Sequence, residues 1–241
     1  QAATIYQRVL DIEPENANAL HLLGLVSHQS GQPEAAIILI KQALGIAPNQ
    51  LNFLYNLANI LRELGQFEEA VQVYRQFIRL QPDSAEAYNN LGISLHKLNQ
   101  FQPAAKAYRD AIELNPVCAE TYYNFGTLLQ KQGELEKAAR LYQKTIEIDP
   151  EYAEVYNNFG TLLQKQGELE KAVRLYQKAI EIDSNFVLAY GNLGDILHRQ
   201  GQIEQATQAY RRAIEIQPDY AKAHNHLGIT LLLKGDFQLG W

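Results

Sequence analysis

Asparagine recurs at intervals of 34 residues along most of this 241-residue chain, and we call these residues the asparagine ladder: Asn56, Asn90, Asn124, Asn158 and Asn192. A side-chain amide offers two N–H donors and a carbonyl acceptor, which match the N–H and C=O groups of an extended peptide backbone. Asparagine is a poor helix former, because its amide competes for backbone hydrogen bonds. The ladder therefore predicts a surface that binds a polypeptide backbone. The amides could instead join adjacent helices, and the two interpretations are compatible.

Polar and basic residues follow the ladder at fixed distances. The sixth residue after each of the last four asparagines is polar: His96, Gln130, Gln164 and His198. The seventh is basic: Lys97, Lys131, Lys165 and Arg199. A cation at the end of a helix is favoured by the helix dipole by about 0.3–1 kcal/mol, which is the simpler explanation of the basic residues. They would still make the surface positive and attract an acidic peptide.

Residues with catalytic or metal-binding spacing are missing from the sequence. It has no nucleophile elbow, phosphate loop, zinc-binding helix motif or calcium loop. Cys118 is the single cysteine, which excludes an internal disulfide and a cysteine-based zinc site. His224 and His226 are two residues apart on a predicted helix and would point in different directions. We therefore predict no catalytic residue, no metal and no cofactor.

The residues that must position the ladder share its period of 34. The prolines are Pro14, Pro48, Pro82, Pro116, Pro150 and Pro218. The glycines are Gly24, Gly92, Gly126, Gly160, Gly194 and Gly228; the tyrosines are Tyr74, Tyr108, Tyr142, Tyr176 and Tyr210. With the proline numbered as position 32, these series predict full repeats at 17–50, 51–84, 85–118, 119–152, 153–186 and 187–220. Residues 1–16 are predicted to be the second half of a preceding repeat, and 221–241 the start of another.

Each repeat has the pattern of two helices. Tyr122, Phe125, Leu128 and Leu129 follow the spacing of one buried helical face, and Gly133 then supplies a turn. A second apolar stripe follows, in which small residues at positions 8 and 20 permit close packing. Tyrosines at positions 4 and 24 are predicted to be core, and residues after the proline, such as Asn49 and Asp83, to cap the next helix. Stacked pairs predict an all-α, right-handed superhelical solenoid.

One run carries a family resemblance: Tyr88, Leu91, Gly92, Leu95, Ala104, Tyr108, Ala111 and Pro116. It resembles the tetratricopeptide-repeat consensus, and the resemblance covers the whole chain. The ladder itself is similar to that of the tetratricopeptide region of the O-linked N-acetylglucosamine transferases. These resemblances imply that first helices line a concave groove and that the ladder grips a peptide backbone there. The RNA-binding pentatricopeptide alternative is disfavoured by the period of 34 and the acidic charge balance.

The family's carboxylate clamp, which holds chaperone C-termini, is only partly matched. Asn59 and Asn90 occupy two of its positions, whereas Tyr55, Glu120 and Asn124 stand where basic members or their partners are required. The resemblance thus implies that Asn59 contacts a ligand, but it does not favour a chaperone tail.

Composition and the chain ends complete the prediction. A formal net charge of -6 argues against nucleic-acid binding, and no apolar run is long enough to predict membrane insertion. No signal peptide is visible, which says little because the sequence starts within a repeat. A cytoplasmic location is predicted. The segment from Gly235 to Trp241 resembles a junction between bacterial repeats and a glycosyltransferase-like domain, and Leu231, Leu232 and Leu233 predict an uncapped end that self-associates. The predicted function is recognition of an extended, acidic peptide for a larger protein; the alternative is a free-standing scaffold.

Overall fold

Residues 1–234 are described by the computed structural model, and within them the chain is α-helical apart from short turns, with no strand. The helices are α1 (Ala2–Ile12), α2 (Ala17–Gln29), α3 (Pro33–Ile46), α4 (Leu51–Glu63), α5 (Phe67–Leu80), α6 (Ala85–Lys97), α7 (Phe101–Leu114), α8 (Ala119–Lys131), α9 (Leu135–Ile148), α10 (Ala153–Lys165), α11 (Leu169–Ile182), α12 (Val187–Arg199), α13 (Ile203–Ile216) and α14 (Ala221–Lys234). The predicted all-α architecture of helix pairs is confirmed. The even-numbered helices are the first helices of the repeats.

The helices form two compact units. The N-terminal unit is Gln1–Asn124 and the C-terminal unit starts at Phe125, so the division falls within α8. Inside the N-terminal unit α2 packs on α3, α4 on α5, and α6 on α7. Inside the C-terminal unit α10 packs on α11, α12 on α13, and α13 on α14. Each unit is therefore a stack of helix pairs in chain order.

The turn inside each pair needs a left-handed backbone conformation. Gly65 and Gly167 have φ values of 74° and 82°, in the region that side chains resist. Asn99 takes the same place in one repeat with φ 57°, which asparagine tolerates better than most residues. The predicted turn position therefore has the predicted conformation, while the equivalent Gly235 lies outside the described residues.

In four of the repeats the core contains a tyrosine packed against a glycine, whereas Gly24 packs against Ile40 and Ala58 takes the glycine position opposite Tyr74. The rings of Tyr108 and Tyr176 are almost fully buried. A Cβ atom added to Gly92 would lie 2.6 Å from the Tyr108 ring, and one added to Gly160 would lie 2.7 Å from the Tyr176 ring. Position 8 is thus small because the position-24 tyrosine occupies that space. The position-4 tyrosines vary: Tyr156 is buried, as predicted, whereas Tyr88 and Tyr190 are only half-buried, so their assignment to the core was wrong.

The predicted caps were misplaced by one residue. Helix α6 begins at Ala85, so its capping residue is Ser84, whose Oγ accepts from the Ala87 N–H at 3.3 Å. Helix α4 begins at Leu51, and its cap Gln50 makes no side-chain capping bond. Asn49 and Asp83 stand one place too early because the chain needs one more extended residue before the helix starts.

Helix α14 contains the leucines that were predicted to form an exposed apolar end. Leu231 is only 5% exposed, so it does not contribute to such a surface. The predicted junction at Gly235–Trp241 lies outside the described residues. Among residues 1–234, no helix combines the length and apolarity that crossing a bilayer requires.

Candidate functional site

The ladder residues lie on the first helices of the repeats in both units. In the N-terminal unit Asn56, Asn90 and Asn124 lie on α4, α6 and α8. In the C-terminal unit Asn158 and Asn192 lie on α10 and α12. Asn90 is buried, with 8% exposure, and the other four side chains are half-buried. Each amide is therefore partly enclosed by neighbouring helices.

In the N-terminal unit the ladder amides bond to the preceding first helix. Asn90 Nδ2 donates to the Tyr55 hydroxyl at 3.2 Å, and Asn124 Nδ2 donates to Asn89 Oδ1 at 3.3 Å. Asn56 Nδ2 lies 2.9 Å from His21 Nε2. In all three pairs the partner stands 35 residues earlier in the chain. We call these contacts latch hydrogen bonds, because they fix the side-chain amide to the neighbouring helix.

The C-terminal unit contains the same latch. Asn192 Nδ2 donates to Asn157 Oδ1 at 2.9 Å, again across 35 residues. Asn157 Nδ2 also donates to Asn158 Oδ1 at 3.2 Å, which orients the amide of Asn158. The ladder amides thus join adjacent helices inside each unit, as the alternative interpretation of the sequence expected.

The latch partners at position 5 are functional neighbours that the sequence interpretation missed. Position 5 holds His21, Tyr55, Asn89 and Asn157, all of which carry a hydrogen-bond acceptor. A polar residue directly before four of the five ladder asparagines was the available signal; Gly191 precedes Asn192. His21 is buried, and it stacks on Phe53 with ring centroids 4.3 Å apart. Burial lowers the pKa of His21, so its neutral form, which can accept a hydrogen bond, is favoured.

Asn59 is brought together with Asn90 by the fold. Its Oδ1 accepts from the Tyr74 hydroxyl at 2.5 Å and from Asn90 Nδ2 at 3.3 Å. Burial raises the pKa of Tyr74 to about 12, so this hydroxyl remains a donor at neutral pH. Tyr55, Asn59 and Asn90 therefore form one connected hydrogen-bond network on α4 and α6.

The C-terminal unit has a charged network at the equivalent place. Asp195 stands where Asn59 stands in its repeat, and its side chain is only 14% exposed. Its Oδ1 accepts from the Tyr210 hydroxyl at 2.9 Å and lies 2.6 Å from His226 Nδ1. Its Oδ2 lies 2.8 Å from Lys222 Nζ, which also donates to Asn192 Oδ1 at 3.1 Å. Here the ladder is tied to an ion pair.

The predicted polar residues at position 12 are half-buried rather than open. Gln130 and Gln164 accept hydrogen bonds from Tyr142 and Tyr176 at 2.5 and 2.8 Å. His198 Nδ1 lies 2.9 Å from Thr230 Oγ1, and the ring of His96 meets Phe101 edge-on at 6.3 Å. These side chains therefore have structural partners in addition to any contact with a ligand.

The ends of the first helices carry opposite charges. The four predicted basic residues are all exposed: Lys97, Lys131, Lys165 and Arg199. Exposed glutamates stand in the first turns of α6, α8 and α10: Glu86, Glu120 and Glu154. Glu120 Oε1 accepts from Asn89 and Asn124, at 3.3 and 3.5 Å, so it adjoins the ladder. The sequence interpretation weighed only the basic edge; in each unit the surface is negative on one side and positive on the other.

One buried polar atom among the described residues has no hydrogen-bond partner, the Nε of Arg62 on α4. Arg62 takes position 12 in its repeat, where the other full repeats carry histidine or glutamine. No group of three or more histidine, cysteine, aspartate or glutamate side chains within residues 1–234 is arranged to hold a metal ion. The candidate site within these residues is therefore characterised by its hydrogen bonds and its charged side chains.

Comparisons with known proteins give one family and several similar structures. The sequence model of the cilia and flagella-associated protein 70 C-terminal domain, a tetratricopeptide domain, matches residues 1–227. The crystal structure of MamA is 31% identical, with a TM-score of 0.63, and the match covers 67% of this chain and 95% of that one. None of the curated proteins gives a match.

Two further structures are similar at lower identity and show the fold alone. YrrB, a tetratricopeptide-repeat protein, is 24% identical, with a TM-score of 0.58 over 76% of this chain and 95% of its own. The hetero-tetramer Cut9–Hcn1 is 15% identical, with a TM-score of 0.74 over 95% of this chain and 45% of its own.

Proposed function

Because this chain belongs to the tetratricopeptide-repeat family, we propose that its ladder-bearing first helices bind an extended peptide segment. The chain is a protein–protein interaction module. Among the similar structures, YrrB is described as having an unusual peptide-binding site, and Cut9–Hcn1 is an assembly of the APC/C. The peptide-binding role of the ladder in this chain is our proposal.

The observation that carries the proposal is the fixed orientation of the ladder amides. Latch hydrogen bonds direct the side-chain N–H groups of Asn90 towards Tyr55 and Asn59, and its side-chain oxygen Oδ1 accepts no hydrogen bond from the described residues. Asn56 likewise has His21 as its single side-chain partner within residues 1–234. Groups that are already oriented lose less entropy when a ligand binds. The structural and binding interpretations of the ladder therefore support each other.

Charge suggests how the peptide lies on the surface. Acidic side chains of the peptide would be attracted to the exposed Lys97 in the N-terminal unit and to Lys165 and Arg199 in the C-terminal unit. They would be repelled from Glu86 and Glu154 at the opposite ends of the same helices. An acidic peptide is thus proposed to bind nearer the C-terminal ends of the first helices.

The test compares two variants that break the same latch from opposite sides. Asn124→Ala removes a ladder amide, whereas Asn89→Ala removes its partner and leaves the ladder amide in place. Binding of a mixed-sequence peptide library is measured by fluorescence anisotropy. We expect Asn124→Ala to weaken binding across diverse sequences by about tenfold, and Asn89→Ala to weaken it much less.

The same comparison is made in the C-terminal unit with Asn192→Ala and Asn157→Ala. Circular dichroism first establishes that all four variants stay folded. Equal losses of binding within each pair would show that the asparagines act only through helix packing and would contradict the proposal. The attached glycosyltransferase, the cytoplasmic location and self-association stay predictions.

A further inference from the structure

A second groove lies on the C-terminal unit, away from the ladder. It is an open groove of about 860 Å³ between α11, α12 and α13. Its floor includes the ring of Tyr190 and the side chains of Leu193 and Leu197 on α12. Tyr190 is half-buried, which leaves part of its ring open to a ligand. The position-4 tyrosine, wrongly assigned to the core from the sequence, is therefore a surface residue here.

The groove and the ladder use different faces of α12. Successive residues of an α-helix are rotated by about 100°, so the three floor residues lie about 100° to 160° around the helix axis from Asn192. Leu197 and Tyr190, the two farthest from Asn192 in angle, point to the side where α11 and α13 pack. A ligand in this groove would leave the ladder surface of α12 uncovered.

The rim of the groove is rich in amides and carries net positive charge. Two exposed arginines, Arg174 and Arg212, line it together with one acid, Glu170, and Arg212 Nη1 also pairs with Glu215 Oε2 at 3.0 Å outside the lining, so most of the excess positive charge comes from Arg174. Five glutamines complete the polar lining: Gln177, Gln200, Gln202, Gln205 and Gln208. Glutamine amides can both donate to and accept from a peptide backbone. An apolar floor with an amide and arginine rim fits a peptide that places one apolar side chain inward and acidic side chains outward.

The N-terminal unit has a groove built from the same repeat positions. It measures about 380 Å³ and is floored by Tyr88, Leu91 and Leu95 between α5, α6 and α7. Arg75, Arg79 and Lys106 line it against one acid, Asp110. Both grooves are thus basic in excess although the whole chain has a net charge of -6. This repeated local charge indicates a partner of acidic character.

We infer that the groove of the C-terminal unit is a second binding site, which takes an acidic peptide segment with a leucine or aromatic side chain on the Tyr190 floor. The N-terminal groove has the larger excess of cations, but it is less than half the size and has Pro103 in place of Gln205 on its rim, so we expect it to bind such a peptide more weakly. Proline has no backbone or side-chain N–H to offer a ligand. The inference does not depend on the proposed role of the ladder.

The test uses two libraries of short, fluorescein-labelled peptides that share a central leucine or phenylalanine. One library is enriched in aspartate and glutamate and the other in lysine and arginine. We expect the wild-type chain to bind the acidic library and not the basic one, with affinity falling as salt is raised. Arg174→Glu with Arg212→Glu should weaken binding of the acidic library by about tenfold or more.

Arg211→Glu is the matched control, since Arg211 is exposed, stands next to Arg212 on α13 and does not line this groove. It makes the same change of charge and should leave binding nearly intact. Asn192→Ala weakens the ladder and so separates this site from it: the additional loss caused by Arg174→Glu with Arg212→Glu should be the same in the wild-type chain and in the Asn192→Ala background. Equal binding of both libraries, an unaffected double variant, or disappearance of that additional loss in the Asn192→Ala background would each overturn the inference.

Discussion

The two units build the same surface with different chemistry. In the N-terminal unit the residue at position 9 is Asn59, which joins Tyr74 and Asn90 in a network of neutral groups. In the C-terminal unit the equivalent Asp195 joins Tyr210, His226 and Lys222 through its charge. The exchange is possible because Asn59 and Asp195 each offer an oxygen that accepts from the hydroxyl of the position-24 tyrosine. At this place the C-terminal unit is held together by an ion pair and by hydrogen bonds to a charged group, whereas the N-terminal unit uses hydrogen bonds between neutral groups.

The largest expected effect comes from removing that charge. Asp195→Ala leaves Lys222, His226 and Tyr210 without their shared acceptor, and we expect it to lower the free energy of unfolding by about 2–3 kcal/mol. Urea denaturation followed by circular dichroism measures the loss, and hydrogen exchange in α14 shows where it acts. High salt should reduce the effect, because Lys222 is partly exposed.

Asn59→Ala provides the comparison in the N-terminal unit. It also removes a shared acceptor, but no charge, so we expect a loss of about 1–2 kcal/mol that salt does not change. Equal salt dependence of the two variants would show that the Asp195 cluster does not act through charge and would remove the contrast between the units.

Both units pack a glycine against a buried tyrosine, so the same substitution should destabilise them by a similar amount. Gly92→Ala and Gly160→Ala each bring a Cβ atom against a tyrosine ring that is already buried. Either change should lower the free energy of unfolding by about 1–3 kcal/mol through overpacking. Ala58, which stands at position 8 opposite Tyr74, shows that one repeat has adjusted to a methyl group. Calorimetry should give similar losses of unfolding free energy for the two glycine variants. A large difference between them would mean that core packing also differs between the units.

The two units differ in the hydrogen bonds that a ladder asparagine keeps when the residue that accepts its latch hydrogen bond is replaced. Tyr55→Phe removes the hydroxyl that accepts from Asn90, a buried residue, and should cost about 1 kcal/mol in urea denaturation. Asn157→Ala removes the acceptor of Asn192, which keeps its bond from Lys222, so the cost should be smaller. Asn157→Ala also removes the donor that orients Asn158, so a loss larger than that of Tyr55→Phe would show that this second hydrogen bond outweighs the support from Lys222.

Much of the fold could be predicted from the sequence because its determinants are local. Gly65 and Gly167 require a left-handed turn, and the apolar spacing within each repeat defines two helices whatever their neighbours do. The latch could not be predicted in the same way. The pairing of Asn90 with Tyr55 depends on how two helices from different repeats align, which a period of 34 does not specify.

Prediction of the candidate binding surfaces from the sequence was limited in the same way. A helical stripe identifies Tyr88 and Tyr190 as facing the neighbouring helices, but it cannot tell a buried ring from one at the edge of a groove. The role of Asp195 was also hidden, because Lys222 and His226 belong to the next repeat. Exposure of the basic residues, by contrast, followed directly from their place at the helix ends.

The smallest expected effect is a dependence on pH that only the N-terminal unit has at its latch. Burial lowers the pKa of His21 below that of an unfolded histidine, so the folded state favours the neutral ring. The stability that this gives is present above the unfolded pKa of about 6.5 and is lost as the pH falls through the folded pKa. Protonation also removes the acceptor used by Asn56, so hydrogen exchange at α2 and α4 should accelerate as the solution is acidified. The Asn192–Asn157 latch contains no group that titrates there, and His21→Gln, which keeps an acceptor, should abolish the change. Persistence of the acceleration in His21→Gln would assign it to a group other than His21 and would contradict the prediction.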